Sequence, residues 1–299
     1  MSDNTNFTRS RRLKNDEFYT PRAYVDQIID FMKDYLKGKK VYCNCDMPWS
    51  EFTNAFIERY DELGLAGLKC TGMDDKDFRG TLTEYDGKEV RYSKLQWSGS
   101  FSSYECVDIL NNWCDVCISN PPFSIIKDYY AVLKQSGKDF LFIAPLHIAH
   151  YRGFIEDYID ESINYIYSDF FFNKASEFVC GNAVKNVRNQ LATNIPELVK
   201  YKSYKLCKKF NNSYKYLDQT YKGEKILNID KSSDIPADYE GYMAVPITNM
   251  VTMNLRKRFE VIGLVQRPIT ESDPSIDGKL IYERLIIRNK QCDGKPIEL

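Results

Sequence analysis

Asp115-Val116-Cys117-Ile118-Ser119-Asn120-Pro121-Pro122-Phe123-Ser124 decides the fold. Its first four residues form a short apolar run rich in β-branched side chains, the composition of a buried strand. After it, Ile125, Ile126, Tyr129, Tyr130 and Leu133 recur at helical spacing. A strand followed at once by a helix puts Asn120 to Phe123 at the carboxyl end of that strand, where open α/β sheets keep their ligand sites. Both prolines fix φ, and Pro122 holds Pro121 extended. Neither has an N–H, so their carbonyls stand as acceptors at a fixed angle. The Asn120 side-chain oxygen is another acceptor, and Phe123 adds a flat apolar face. Acceptors beside an aromatic plate suit a planar group bearing an –NH₂, such as the amino edge of adenine. The plain alternative is a strand-to-helix turn using Asn and Pro for their turn chemistry. Pro is only about 5% of residues in ordinary proteins, so Asn-Pro-Pro-aromatic is a rare string to meet by chance.

Asn120-Pro121-Pro122-Phe123 resembles the catalytic motif of S-adenosylmethionine-dependent amino-methyltransferases, above all the N6-adenine DNA enzymes. Three further segments carry the likeness: Asp16-Glu17-Phe18-Tyr19-Thr20, the run Val41 to Asp46 with its Cys43-Asn44-Cys45-Asp46, and Tyr239 to Thr248. In that order they resemble the EcoRI-type adenine methyltransferase family from residue 16 to about 265. The resemblance implies a catalytic set of Asn120, Pro121, Pro122 and Phe123. It implies cofactor contacts from Phe18, Tyr19, Thr20, Pro21, Cys45, Asp46 and Asn120, with Asp74 a candidate for the ribose hydroxyls after strand two. Two departures stand out. Methyltransferases of this kind commonly have a glycine-rich turn after strand one, yet no glycine lies between Gly38 and Gly64. Ser100 stands where relatives often use the acid of a Gly-Asp-Phe.

Length and composition set the bounds. At 299 residues, 43% hydrophobic and 28% charged, the chain is of ordinary globular type and can hold one large or two modest domains. No apolar run approaches the ~18 residues of a membrane span, and the N-terminus lacks a signal-peptide core. Nine cysteines, mostly within apolar runs, fit reduced thiols in the cytoplasm better than a disulfide framework. Cys114-x-x-Cys117 has no second pair to complete a zinc set, so no metal is expected. With a net charge of −1, any DNA-binding face must be local.

Along the chain, residues 1–14 read as a flexible basic arm carrying Arg9, Arg11, Arg12 and Lys14. Thr20 is placed to cap a helix with Pro21 at its first position. Val41 to Asp46 reads as strand one. A helix follows from Phe52, with Ser50 as its cap and Gly64 as its stop. Leu68 to Thr71 reads as strand two, with Asp74, Asp75 and Asp77 after it. Phe140 to Pro145, a segment ending after Tyr167, and Leu191 to Ile195 read as later strands, and 168–190 stays unassigned. Residues 200–225 interleave eight lysines with five tyrosines. That pattern suits phosphate contacts or a merely solvated face, and Lys205, Lys208, Lys209 and Lys215 are the DNA-contact candidates. The stretch Lys279 to Arg288 alternates like a terminal hairpin.

The expected fold is α/β, a Rossmann-like class I methyltransferase sheet with a smaller C-terminal DNA-recognition portion. Its divisions are the arm 1–14, an S-adenosylmethionine-binding catalytic domain 15–170, and a target-recognition and C-terminal region 171–299. The expected activity is methyl transfer from S-adenosylmethionine to N6 of adenine in duplex DNA, with the base swung out of the helix. Expected partners are double-stranded DNA and a cognate restriction endonuclease acting separately, with the protein a cytoplasmic monomer. Methylation of RNA adenine or of protein glutamine, and a silent DNA-binding relic, are the rival readings.

Overall fold

A computed structural model describes residues 20–74, 78–167, 176–180, 183–187, 189–292 and 295–299. By packing, the described residues fall into two units, one within Met1–Pro145 and Asp169–Leu198, the other within Leu146–Ser168 and Val199–Leu299. The segment Leu146–Ser168 groups with the C-terminal third.

The first unit is built on a mixed sheet. Its strands are β1 (Lys40–Cys43), β2 (Gly67–Gly72), β3 (Thr81–Tyr85), β4 (Val90–Lys94), β5 (Val116–Ser119), β6 (Asp139–Pro145) and β7 (Asn189–Thr193). They lie in the order β4-β3-β2-β1-β5-β6-β7. β2, β1, β5 and β6 are parallel, while β3, β4 and β7 run antiparallel to their neighbours. The parallel strands are continuous apolar runs: every residue of β5 is buried, and so are Val41, Tyr42 and Cys43, as strands covered on both faces require. The chain leaves β1 toward β2 and returns on the other side at β5. The gap between the carboxyl ends of β1 and β5 is therefore the topological switch point, where such sheets hold ligands.

Helix α1 (Arg22–Leu36) buries Val25, Ile28, Ile29, Met32 and Leu36, the stripe that the spacing predicts. Helix α2 (Glu51–Glu58) has Ser50 as its cap, the hydroxyl accepting from the Thr53 N–H. The turn Tyr60–Leu63 after it ends on Gly64 in the left-handed conformation. Helix α3 (Ile126–Ser136) buries Ile126, Tyr129, Tyr130 and Leu133. Arg22 joins Asp26 at 3.0 Å and Glu58 at 2.7 Å, linking α1 to α2 at the surface.

The second unit has a five-stranded sheet of β8 (Tyr216–Tyr221), β9 (Glu224–Asn228), β10 (Tyr242–Pro246), β11 (Phe259–Leu264) and β12 (Arg284–Asn289), ordered β8-β9-β10-β12-β11. Leu217, Ile226, Tyr242, Ala244, Val265 and Ile286 form its core. The expected terminal hairpin does not form. Lys279–Leu280 pairs with Ser275–Ile276, while β12 sits between β10 and β11. The physical reason is burial: Leu285, Ile286 and Ile287 are all buried, so β12 takes an interior place that a two-stranded tail cannot provide. No helix among the described residues is long and apolar enough to cross a membrane.

Candidate active site

A cavity of about 720 Å³ opens in the first unit at the switch point. From β1 and the turn after it come Asn44, Cys45, Asp46, Met47, Pro48 and Trp49, and from the end of β2 come Gly72, Met73 and Asp74. The loop after β4 supplies Gly99, Ser100 and Phe101, the segment after β5 supplies Asn120, Pro122 and Ile125, and Thr20 enters from just before α1. Of the residues expected from the sequence, Thr20, Cys45, Asp46, Asp74, Asn120 and Pro122 thus meet around one space. Pro21, Pro121 and Phe123 are not in its lining, and Phe123 is only 8% exposed. Phe18, Tyr19, Asp75, Asp77 and the arm 1–14 lie outside the described residues. The lysine candidates belong to the second unit, where Lys205, Lys208, Lys209 and Lys215 are exposed.

Asp46 is the cavity's buried carboxylate. Its N–H donates to the Thr71 carbonyl at 2.9 Å, which fixes the turn after β1 against β2. Its Oδ2 accepts from the Ser119 hydroxyl at 2.7 Å, which ties the end of β1 to the end of β5. Burial pushes its pKa up to about 6, against the opposing pull of the Ser119 and Ser50 hydroxyls. Asp74 meets the Lys94 ammonium at 3.0 Å. Burial also raises the Cys43 and Cys45 thiols and lifts Cys117 to about 12, so these thiols stay protonated and are poor nucleophiles.

Two asparagine amides face different needs. The Asn120 Nδ2 donates to Thr20 Oγ1 at 3.0 Å, committing the nitrogen side of that amide to the protein. Asn44 is 1% exposed and is held the other way round: its Oδ1 accepts from the Tyr129 hydroxyl at 2.9 Å. Its Nδ2 has no hydrogen-bond partner among the described residues. A buried donor left unmet costs about 1–3 kcal/mol, and Asn44 is part of the cavity's lining.

Two sequence expectations are corrected. Thr20 does not cap α1: Pro21 holds the cap position and no side chain caps it, because the Thr20 hydroxyl is engaged by Asn120. The Pro122 carbonyl is not left as an acceptor either, since it takes the Ile125 N–H at 3.2 Å to start the turn into α3. The structure also answers the absent glycine-rich turn. Gly72 and Gly99 provide the close backbone approach from other segments. A Cβ on Gly72 would fall 2.5 Å from the Met47 sulfur; one on Gly99, whose φ is +72°, would fall 2.5 Å from the Gly72 carbonyl oxygen. Asn44 is the lining residue with the faintest mark in the sequence. Its only signal was a polar side chain ending an apolar strand, flanked by Cys43 and Cys45.

An α/β sheet with a cavity at its switch point is the arrangement of ligand-binding α/β proteins; the comparisons narrow it. The family described as adenine-specific methyltransferase EcoRI matches residues 6–290. The type II methyltransferase M.EcoRI of Escherichia coli is 30% identical over 95% of this chain and 96% of its own length. M.MpnI of Mycoplasma pneumoniae is 27% identical over 95% of this chain and 98% of its own, and M.MgeORF184P of Mycoplasma genitalium 26% over 95% and 99%. No solved structure matches the chain. The chain belongs to the EcoRI family of adenine-specific methyltransferases.

Proposed function

We propose that the protein transfers a methyl group from S-adenosylmethionine to N6 of adenine in duplex DNA, as part of a restriction-modification pair. The observation that carries this reading is the meeting of Asn120 and Asp46 in one cavity, joined through Ser119, at the switch point of the parallel strands. The names of the three relatives, all type II methyltransferases, support the DNA substrate.

The cavity fits a nucleoside cofactor. Its volume lies in the usual ligand range of about 300–1,000 Å³. The Asp46 carboxylate suits the cofactor's ammonium and the orphaned Asn44 N–H suits an acceptor, with Asp74 placed for ribose hydroxyls. When bound, S-adenosylmethionine supplies an electrophilic methyl on a sulfonium centre. The chain's own task is to make adenine's amino nitrogen nucleophilic, since its lone pair is delocalised into the ring. Asn120 Oδ1 and the Pro121 carbonyl each accept one N–H, drawing the nitrogen toward tetrahedral geometry and freeing the lone pair. The methyl group would pass to that nitrogen with the C–S electron pair left on sulfur, and the amino group would release one proton to water. Orientation and fixed dipoles supply the acceleration. The base reaches the cavity by leaving the helix. The second unit's lysine and tyrosine stretch serves as the DNA-recognition portion.

The test is tritium transfer from labelled S-adenosylmethionine to DNA, RNA and protein acceptors, followed by modified-base sequencing of DNA from cells expressing the chain. N6-methyladenine in DNA at a fixed sequence is the expected result. Label in RNA or protein alone would overturn the substrate, and no label in any acceptor would overturn the enzyme.

A further inference from the structure

We propose that Thr20 is a positioning residue for methyl transfer: its hydroxyl holds the Asn120 amide with the nitrogen turned to the protein and the oxygen presented to the adenine amine. The inference rests on the role given to Asn120 above and goes beyond it.

The two faces of a primary amide are almost the same shape, so packing alone does not decide which atom meets a ligand. Asn120 gives its Nδ2 to Thr20 Oγ1 at 3.0 Å, and Thr20 is only 7% exposed. Water therefore competes poorly for that bond. The acceptor itself is stiff. Thr20 is β-branched, which restricts χ1, and it precedes Pro21, which confines it to extended backbone. Pro21 in turn is pinned, since its carbonyl takes the Tyr24 N–H at 2.9 Å and the Val25 N–H at 3.3 Å as α1 begins. One helix start thus fixes an oxygen 100 residues away in sequence from the amide it orients.

The bond also acts on the chemistry. An amide whose N–H is donated carries more negative charge on its oxygen, because hydrogen bonds in a chain polarise one another. The Asn120 oxygen then accepts more strongly as the adenine nitrogen turns tetrahedral, which is where an interaction speeds a reaction. Thr20 therefore acts on the rate of the bound complex. The cofactor contact that the family resemblance implies for this threonine would act on affinity instead, and the two roles separate by experiment.

The experiment compares the full-length wild type with Thr20→Val, Thr20→Ala, Thr20→Ser and Asn120→Ala. Single-turnover transfer from tritiated S-adenosylmethionine to bulk unmethylated phage DNA is measured at saturating and half-saturating cofactor. Calorimetry with S-adenosylhomocysteine and a thermal melt accompany each variant. Losing one hydrogen bond in the reacting complex predicts a rate roughly three- to thirtyfold lower at saturating cofactor for Thr20→Val and Thr20→Ala. Thr20→Ser should return to within about threefold of wild type, and S-adenosylhomocysteine affinity should stay level throughout. A Thr20→Val enzyme at wild-type rate would overturn the proposal, as would a serine that fails to rescue. Affinity that falls in step with rate would make Thr20 a cofactor contact instead. Asn120→Ala at wild-type rate overturns the reading of Asn120 itself, a result separate from any of these.

Discussion

The cavity of the first unit and the lysine-rich stretch of the second are built very differently. In the cavity, Asp46 and Asn44 are buried and Asn120 half-buried, and each is held by a named neighbour: Asp46 by Ser119, Asn120 by Thr20, Asn44 by Tyr129. In the stretch 200–225 the four lysine candidates are exposed. Lys208 and Lys215 have acidic partners, Asp234 at 2.5 Å and Asp277 at 3.9 Å. A buried, pre-set group is worth far more to a reaction than an exposed, screened one. On the proposed function, the contrast assigns chemistry to the first region and contact to the second, and it ranks what mutation should do.

The largest effect belongs to Asn120. Asn120→Ala should leave the fold and S-adenosylhomocysteine binding nearly intact and lower the single-turnover rate by about 10²–10³, the usual cost of removing one preset electrostatic contact. A near-wild-type rate would break the comparison at its stronger end. Phe123→Ala is a poorer probe than the sequence suggested. With Phe123 8% exposed, its loss also opens the packing, at about 3–5 kcal/mol for a fully buried phenylalanine.

Asp46 comes next, and it brings a pH dependence. Asp46→Ala should weaken S-adenosylhomocysteine binding by roughly ten- to a hundredfold, the range for a hydrogen bond to a charged group. Its folded pKa of about 6 lies above the ordinary aspartate range because of burial. Between about pH 4 and 6 the folded chain therefore holds more protons than the unfolded chain, so its stability falls as pH rises through that window. Above about pH 6 the penalty is complete, at about 3 kcal/mol. Asp46→Asn removes it, so in urea titrations the variant should match wild type near pH 4 and exceed it by up to that amount at pH 7. A ligand's ammonium prefers the ionised carboxylate, so wild-type affinity should climb with pH through about 6 while that of Asp46→Asn stays flat. Equal pH profiles for the two proteins would remove the carboxylate from the cofactor's site.

How much of this was legible depended on how local the information was. The strand at Val116, the α1 stripe, the Ser50 cap and the Gly64 stop follow from periodicity and single-residue preferences, and the structure has them where the spacing puts them. Thr20 was read as a cap because a threonine before a proline has the local chemistry of one. Its actual bond reaches a residue far along the chain, and nothing near Thr20 encodes that. The glycines that let the backbones close up, Gly72 and Gly99, escaped for the same reason: they replace a familiar glycine-rich turn from two separate segments. The tail read as a hairpin because alternation fits an edge pair and an interior strand equally, and only the partners of β12 decide between them.

The smallest effects should come from the lysines, and they sharpen the comparison from its weaker side. Each phosphate contact removed should lower the slope of log affinity against log salt by about one. Lys208 already spends its charge on Asp234, whose presence raises the lysine's pKa. A phosphate must compete with that carboxylate, and Lys208→Gln would leave Asp234 behind to repel DNA. Lys205 and Lys209 have no acidic partner among the described residues. The double variant Lys205→Gln and Lys209→Gln should therefore lower the slope by about two, while Lys208→Gln should weaken binding with a slope change below one. Fluorescence anisotropy on a duplex across a salt series reads both. A slope change of about one for Lys208→Gln would mean the Asp234 pair opens freely on DNA. A slope untouched by all three would return the stretch to a solvated face and leave DNA recognition to other surfaces of the chain.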